Sequence, residues 1–298
     1  MTKRKDAPAK KRRVTRRQLM EAASRLRVDV NGNPYVIRFS PSQRVEHLLL
    51  IISFTMLALT GLPQRYADTG VGVLLLRLFG GIETARQVHH TFALLFALEA
   101  AYHLGVFAYD LIIKRQLSDM MPIRSDLEHF VQMIRYNLGK AEKRPYFGRY
   151  TFEEKAEYWA LVWGTAVMGI TGVMQWFPTI VTRWLPGSAI PVARAFHSWE
   201  AVLAVAAILV WHTYHVVIKT RNKSIFTGIM SIEEMEEEHP AELEYIRWAA
   251  AVLESQQSSK TVPPEVEQES LVEKPLVPEG DGNPSEVVLA ETVSGDGT

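Results

Sequence analysis

The sequence predicts an all-α integral membrane protein, a four-helix bundle flanked by polar cytoplasmic tails. Three observations predict it. Four apolar segments approach or exceed the roughly 20 residues that a spanning helix needs. Basic residues gather in alternate connections between them. Seven of the nine histidines, His47, His89, His90, His103, His197, His212 and His215, lie inside or at the edge of those segments. The apolar content of 47% hides this pattern, because long polar ends dilute an apolar middle.

Taken in order, residues 1–40 read as a basic cytoplasmic tail, with Arg12, Arg13, Arg16, Arg17, Arg25, Arg27 and Arg38 suited to touching anionic lipid. No apolar run follows its first charges, so it does not read as a secretory signal, and beside a membrane domain it does not read as a nucleic-acid arm. Residues 41–228 form the membrane domain, with spans at about 45–62, 88–113, 158–181 and 192–218. The stretch Val202 to Trp211 has no polar face at all, unlike a soluble amphipathic helix. Residues 229–254 read as a cytoplasmic helical segment interrupted near Pro240. The acidic end, 255–298, lacks aromatics and reads as disordered. No internal repeat is evident beyond the paired histidines.

Orientation follows from Lys and Arg. They crowd ahead of the first span, between the second and third, and after the fourth, where Lys219, Arg221 and Lys223 stand. The connections 63–87 and 182–191 contain no lysine. The positive-inside rule then places both termini in the cytoplasm of a multi-pass cell-membrane protein. The absence of cysteine excludes a Cys-ligated iron–sulfur cluster and covalent haem attachment in this chain.

An imidazole in hydrocarbon is costly without a partner, and haem iron is one partner that turns the cost into binding. From His89 to His103 is about 21 Å of helix rise with about 40° of rotation, and from His197 to His212 about 22 Å and 60°. Such separations suit two stacked sites between helices, one towards each membrane face. Topology makes His89, His90 and His197 outer, and His47, His103, His212 and His215 inner. The outer pair is then His89 with His197, and the inner pair His212 with either His103 or His47. The matched spacing on the second and fourth spans favours His103, leaving His47 beside the inner haem or a quinone. His90 and His215 are the alternative ligands. Glu99 and Glu200 read as neutral packing carboxyls, with Glu99 one turn from His103 and able to relay a proton. The tryptophans read as interfacial anchors, and His129 and His239 as solvated surface residues.

Arg44-Val45-Glu46-His47 followed by LLLIISFTMLALTGLP resembles the first span of the di-haem cytochrome b subunits of formate dehydrogenase and nickel–iron hydrogenase. Arg86-Gln87-Val88-His89, His197-Ser198-Trp199-Glu200 and Trp211-His212-Thr213-Tyr214 are similar to that family's other ligand sites, over about residues 36–228. The resemblance implies haem b at His89/His197 and at His47/His212. The spacing that favours His103 instead resembles the cytochrome b of quinol-oxidising complexes. Either resemblance implies two haems carrying electrons across the membrane between an iron–sulfur or catalytic partner subunit and the quinone pool. A quinone site near the inner haem would be shaped by His215, Arg44 and Lys219. Two other functions compete: a haem-bearing anchor without its own quinone site, and a metal-ion transporter using Glu46, Glu99 and Glu200 with the histidines.

Overall fold

The computed structural model describes residues 14–115 and 118–260. The first long helix, α2 (Pro41–Arg65), starts at a capping box in which Ser40 and Gln43 satisfy each other's backbone N–H groups, with Pro41 at its first position. A short α3 (Gly70–Leu78) lies in the connection to α4 (Ile82–Ile112). An amphipathic α5 (Arg124–Asn137) precedes α6 (Phe152–Trp176), which starts at a second capping box, Thr151 with Glu154. After the single turn α7 (Pro178–Val181) comes α8, α-helical over Ala189–Ala206 and then π-helical over Ala207–His212 and Tyr214–Lys219. The third helix stops five residues before the expected boundary of its span. Pro178 forces the residue before it out of the helical region, so α6 ends at Trp176.

α2 packs along α4 and α6 along α8, and α2 also meets α8, joining the two helix pairs into one bundle. Three helices, Pro41–Arg65, Ile82–Ile112 and Ala189–Lys219, are long and apolar enough to cross a membrane. α6 is as long as α2, but glycines, threonines and Gln175 dilute its apolar run, and Glu153, Glu154, Lys155 and Glu157 fill its first two turns.

The expected N-terminal tail is a correction. From Val14 onward it folds: α1 (Arg16–Ala23) is followed by β1 (Leu26–Val28) and β2 (Pro34–Ile37). After α8 and the turn α9 (Ser224–Thr227), β3 (Ile229–Ser231) pairs antiparallel with β2, with Val36 opposite Met230. α10 (Ile232–Glu238) and α11 (Pro240–Lys260) cover the three-stranded sheet. Val36, Met230, Ile232, Met235, Leu243 and Ile246 form one core, and Leu19 and Ala22 of α1 pack with Ala249 of α11 in another. Two of the basic residues are tied into the fold: Arg25 pairs with Glu242, and fully buried Arg38 with Glu154. His239 is buried rather than solvated, its Nδ1–H donating to the Gly148 carbonyl at 2.9 Å. His129 packs edge-on against Phe147. The acidic end expected to be disordered begins inside α11, and from residue 261 it lies outside the described residues, as do Arg12 and Arg13.

Candidate haem sites

His89 of α4 and His197 of α8 face each other with ring centres 6.4 Å apart. Behind each stands a threonine. His89 Nδ1 is 3.0 Å from Thr60 Oγ1 on α2, and His197 Nδ1 is 3.0 Å from Thr171 Oγ1 on α6. Each hydroxyl donates its single proton to a carbonyl in its own helix, Thr60 to Met56 at 2.7 Å and Thr171 to Val167 at 2.6 Å. Only oxygen lone pairs remain for the imidazoles, so both rings carry the proton on Nδ1 and leave Nε2 bare. A bare Nε2 is what an iron ligand needs.

The close approach depends on glycine. A Cβ on Gly61 would stand 2.9 Å from His89 Cε1, and one on Gly172 would stand 3.3 Å from His197 Cε1. Gln64 and Gln175 donate to the carbonyls of Thr60 and Thr171, at 2.9 and 3.1 Å. His90 turns away and stacks on Trp176 with ring centres 4.0 Å apart, so it is not drawn into the pair.

The second pair is His47 of α2 with His212 of α8, ring centres 6.3 Å apart. His212 Nδ1 donates to Glu157 Oε2 of α6 at 2.7 Å. Here the spacing argument for His103 fails. His103 Nδ1 lies 3.0 Å from Glu46 Oε2 and its Nε2 lies 3.0 Å from the Tyr158 hydroxyl, so both nitrogens are occupied and neither faces His212. His47 takes the place that the spacing favoured for His103.

The remaining candidates disperse. His215 points its Nδ1 at the Trp211 carbonyl, 3.0 Å away, and lines a small cavity with Lys219, Glu154 and Glu157. Arg44 donates to the Phe226 carbonyl, tying the start of α2 to α9. Glu99 accepts from Ser53 Oγ at 3.4 Å, and Glu200 lies over Gly164, whose Cβ would meet Oε1 at 2.9 Å. Sequence reasoning missed Thr60, Gly61, Thr171, Gly172, Glu157 and Tyr158. The available signal was a repeated Thr-Gly-x-x-Gln, at Thr60 to Gln64 and at Thr171 to Gln175.

Two imidazoles that each bind one metal at about 2 Å have ring centres roughly 6 Å apart, so both pairs fit an iron between them. Apolar helices that bring imidazoles together in two facing pairs offer donor sets suited to metal cofactors between the helices. The family model described as prokaryotic cytochrome b561 matches residues 123–230. The chain is 22% identical over 215 residues to the formate dehydrogenase cytochrome b556 subunit of Haemophilus influenzae, covering 72% of this chain and 84% of that one. It is 22% identical over 223 residues to the nitrate-inducible formate dehydrogenase cytochrome b556(Fdn) subunit of Escherichia coli K12, covering 74% and 96%. It is 24% identical over 183 residues to the cytochrome b556(fdo) subunit of the same organism, covering 60% and 77%. These comparisons support a membrane b-type cytochrome of the kind that serves as an electron-transfer subunit, a class that implies haem b.

Proposed function

We propose that this cytochrome is the di-haem membrane subunit of a quinone-linked oxidoreductase. It carries electrons between a catalytic or iron–sulfur partner on one side and quinone in the bilayer. The observation that carries the reading is the two imidazole pairs, with ring centres 6.4 and 6.3 Å apart, each spanning two helices. His89 and His197 would hold the outer haem, His47 and His212 the inner one. Haem iron supplies one-electron exchange between its ferric and ferrous states. The protein's part is to set the protons of His89, His197 and His212 on Nδ1 and to orient the rings. From His197 to His212 is about 22 Å of rise, enough to divide a hydrocarbon core of about 30 Å into short electron hops.

The strand pairing supports four crossings rather than three. β2 leads into α2 and β3 follows α8, and the two strands are paired, so the chain enters and leaves the membrane on one side. An even number of crossings follows, and α6 supplies the fourth. Arg and Lys on that side make it the cytoplasm. The named relatives are formate dehydrogenase subunits, which supports a redox enzyme as partner. With no cysteine of its own, the chain needs any iron–sulfur chemistry from that partner. Among the described residues no group of three or more His, Cys, Asp or Glu could hold a metal ion.

The test is a haem count with redox-difference spectra of the purified chain, followed by reduction with a short-chain quinol. Two haems per chain, both reducible by quinol, are expected. His89→Ala or His197→Ala should each remove one haem and His47→Ala the other, whereas His103→Ala should keep both. A wild-type chain without haem overturns the reading, and one that quinol cannot reduce overturns its quinone half.

A further inference from the structure

The four histidines of the two pairs are not held alike. His89, His197 and His212 each have a partner at Nδ1, namely Thr60, Thr171 and Glu157. The His47 imidazole has no hydrogen-bond partner among the described residues. The torsion that sets an imidazole plane has broad minima, and a ligand's second nitrogen is normally what fixes it. His47 lacks that restraint, and packing takes its place.

The Phe226 ring stands edge-on to His47, with ring centres 6.4 Å apart and planes at 83°. Such a pair resists rotation, because turning either ring loses the favourable meeting of edge and face. Phe226 is 58% exposed and belongs to neither core of the sheet domain, so burial does not account for it. Its one ring contact is with His47.

The sheet domain fixes where Phe226 stands. Arg44, one turn before His47 on α2, donates to the Phe226 carbonyl. Two residues further on, the Gly228 carbonyl accepts from the N–H groups of Arg38 and Phe39, at 2.8 and 3.2 Å. Gly228 has φ +83°, and a Cβ there would stand 3.2 Å from both Arg44 Nη1 and the Phe39 carbonyl oxygen. Glycine is what lets this turn close on the start of α2. The next residue opens β3 and pairs with β2, Ile229 opposite Ile37. Closing the sheet therefore brings Phe226 to His47.

We propose that Phe226 is a positioning residue for the inner haem; this rests on the reading of His47 and His212 as the inner ligands. Its edge sets the plane of the His47 imidazole, the task that Thr60, Thr171 and Glu157 perform for the other three histidines. The inner site is then complete only when β3 has closed on β2. The partners of the outer pair, Thr60 and Thr171, lie within the bundle and need no such closure.

The test uses the full-length, haem-loaded protein in nanodiscs and two readouts. One is the electron paramagnetic resonance of ferric haem, which follows the angle between the axial imidazole planes. The other is the rate at which apomyoglobin strips each haem. Phe226→Leu keeps the apolar bulk but loses the flat edge. It should shift the inner signal and speed loss of the inner haem about two- to tenfold, the worth of one aromatic pair. The outer signal and rate should not move. Arg44→Gln, which loosens the tether, should shift the inner signal as well, and Phe226→Tyr should match wild type. Phe226→Met is a second variant with the same expected and overturning results, should Phe226→Leu fail to fold. An unchanged inner signal and rate overturn the proposal. So does an equal change at both haems, which makes Phe226 a general packing residue, and so does damage by Phe226→Tyr equal to that by Phe226→Leu. Retention of both haems in His47→Ala overturns the ligand reading and the proposal with it. Loss of one haem there, beside a silent Phe226→Leu, overturns the proposal alone.

Discussion

Glu157→Gln should raise the potential of the inner haem and leave the outer one alone. The two proposed haem sites differ in what stands behind their histidines: a carboxylate 2.7 Å from His212, but neutral hydroxyls 3.0 Å from His89 and His197. A carboxylate accepting Nδ1–H makes the imidazole a stronger electron donor and favours ferric iron. The glutamine amide keeps an acceptor oxygen in the same place, so ligation survives and only the charge is lost. A hydrogen bond to a charged group stabilises by about 1.5–3 kcal/mol and a neutral one by about 0.5–1.5. The difference, about 1–1.5 kcal/mol, corresponds to roughly 40–65 mV in a one-electron couple. Potentiometric titration at fixed pH, in a His197→Ala background that leaves only the inner haem, isolates the shift. A change of sign, a shift under about 10 mV, or the same shift in a background retaining only the outer haem would refute the reasoning.

Further outcomes follow from single contacts. Gly61→Ala should weaken haem retention at the outer site more than Gly172→Ala, because its Cβ would stand 2.9 rather than 3.3 Å from the ligand ring; equal haem loss rates in detergent count against it. Burial, then nearby Arg38, pushes His239 down to about 4, so the unfolded chain binds its proton first. Stability of the sheet domain from this group is therefore complete above the unfolded value of about 6.5 and is lost as pH falls towards 4. Hydrogen exchange in α10 and α11 should accelerate over that window, and should lose this dependence in His239→Gln. A reporter active only in the cytoplasm should work when fused after Gly228, and an export-dependent one near Gly187, with inactivity of both marking an inverted topology.

The three most apolar spans and the outer histidine pair were legible because uninterrupted apolar runs and helical rise fix depth without any knowledge of packing. The inner pair was not. Rise leaves His47 and His103 about equally offset in depth from His212, and which of them looks at His212 depends on α2 meeting α8 while α4 turns His103 towards Tyr158. α6 hides its role because the residues it contributes, Thr171, Gly172 and Glu157, are those that lower its apolarity. Thr and Gly are common in membrane helices, so Thr60-Gly61 carried no signal until its copy was aligned. The sheet domain escaped notice because its strands are three or four residues long and β2 finds β3 near the other end of the chain.

That distant strand pairing has a consequence for biogenesis. Ile37 and Ile229 are opposite each other, yet all of the membrane-crossing chain is made between them. At a synthesis rate of about 5–20 residues per second, the intervening stretch of roughly 190 residues keeps β2 waiting about 10–40 s with one edge unpaired. Only a chain whose helices have crossed an even number of times brings β3 back to the side where β2 waits. The sheet thus closes late, and a chain that loses a single crossing cannot close it. Such a chain would leave the Val36 and Met230 core faces uncovered.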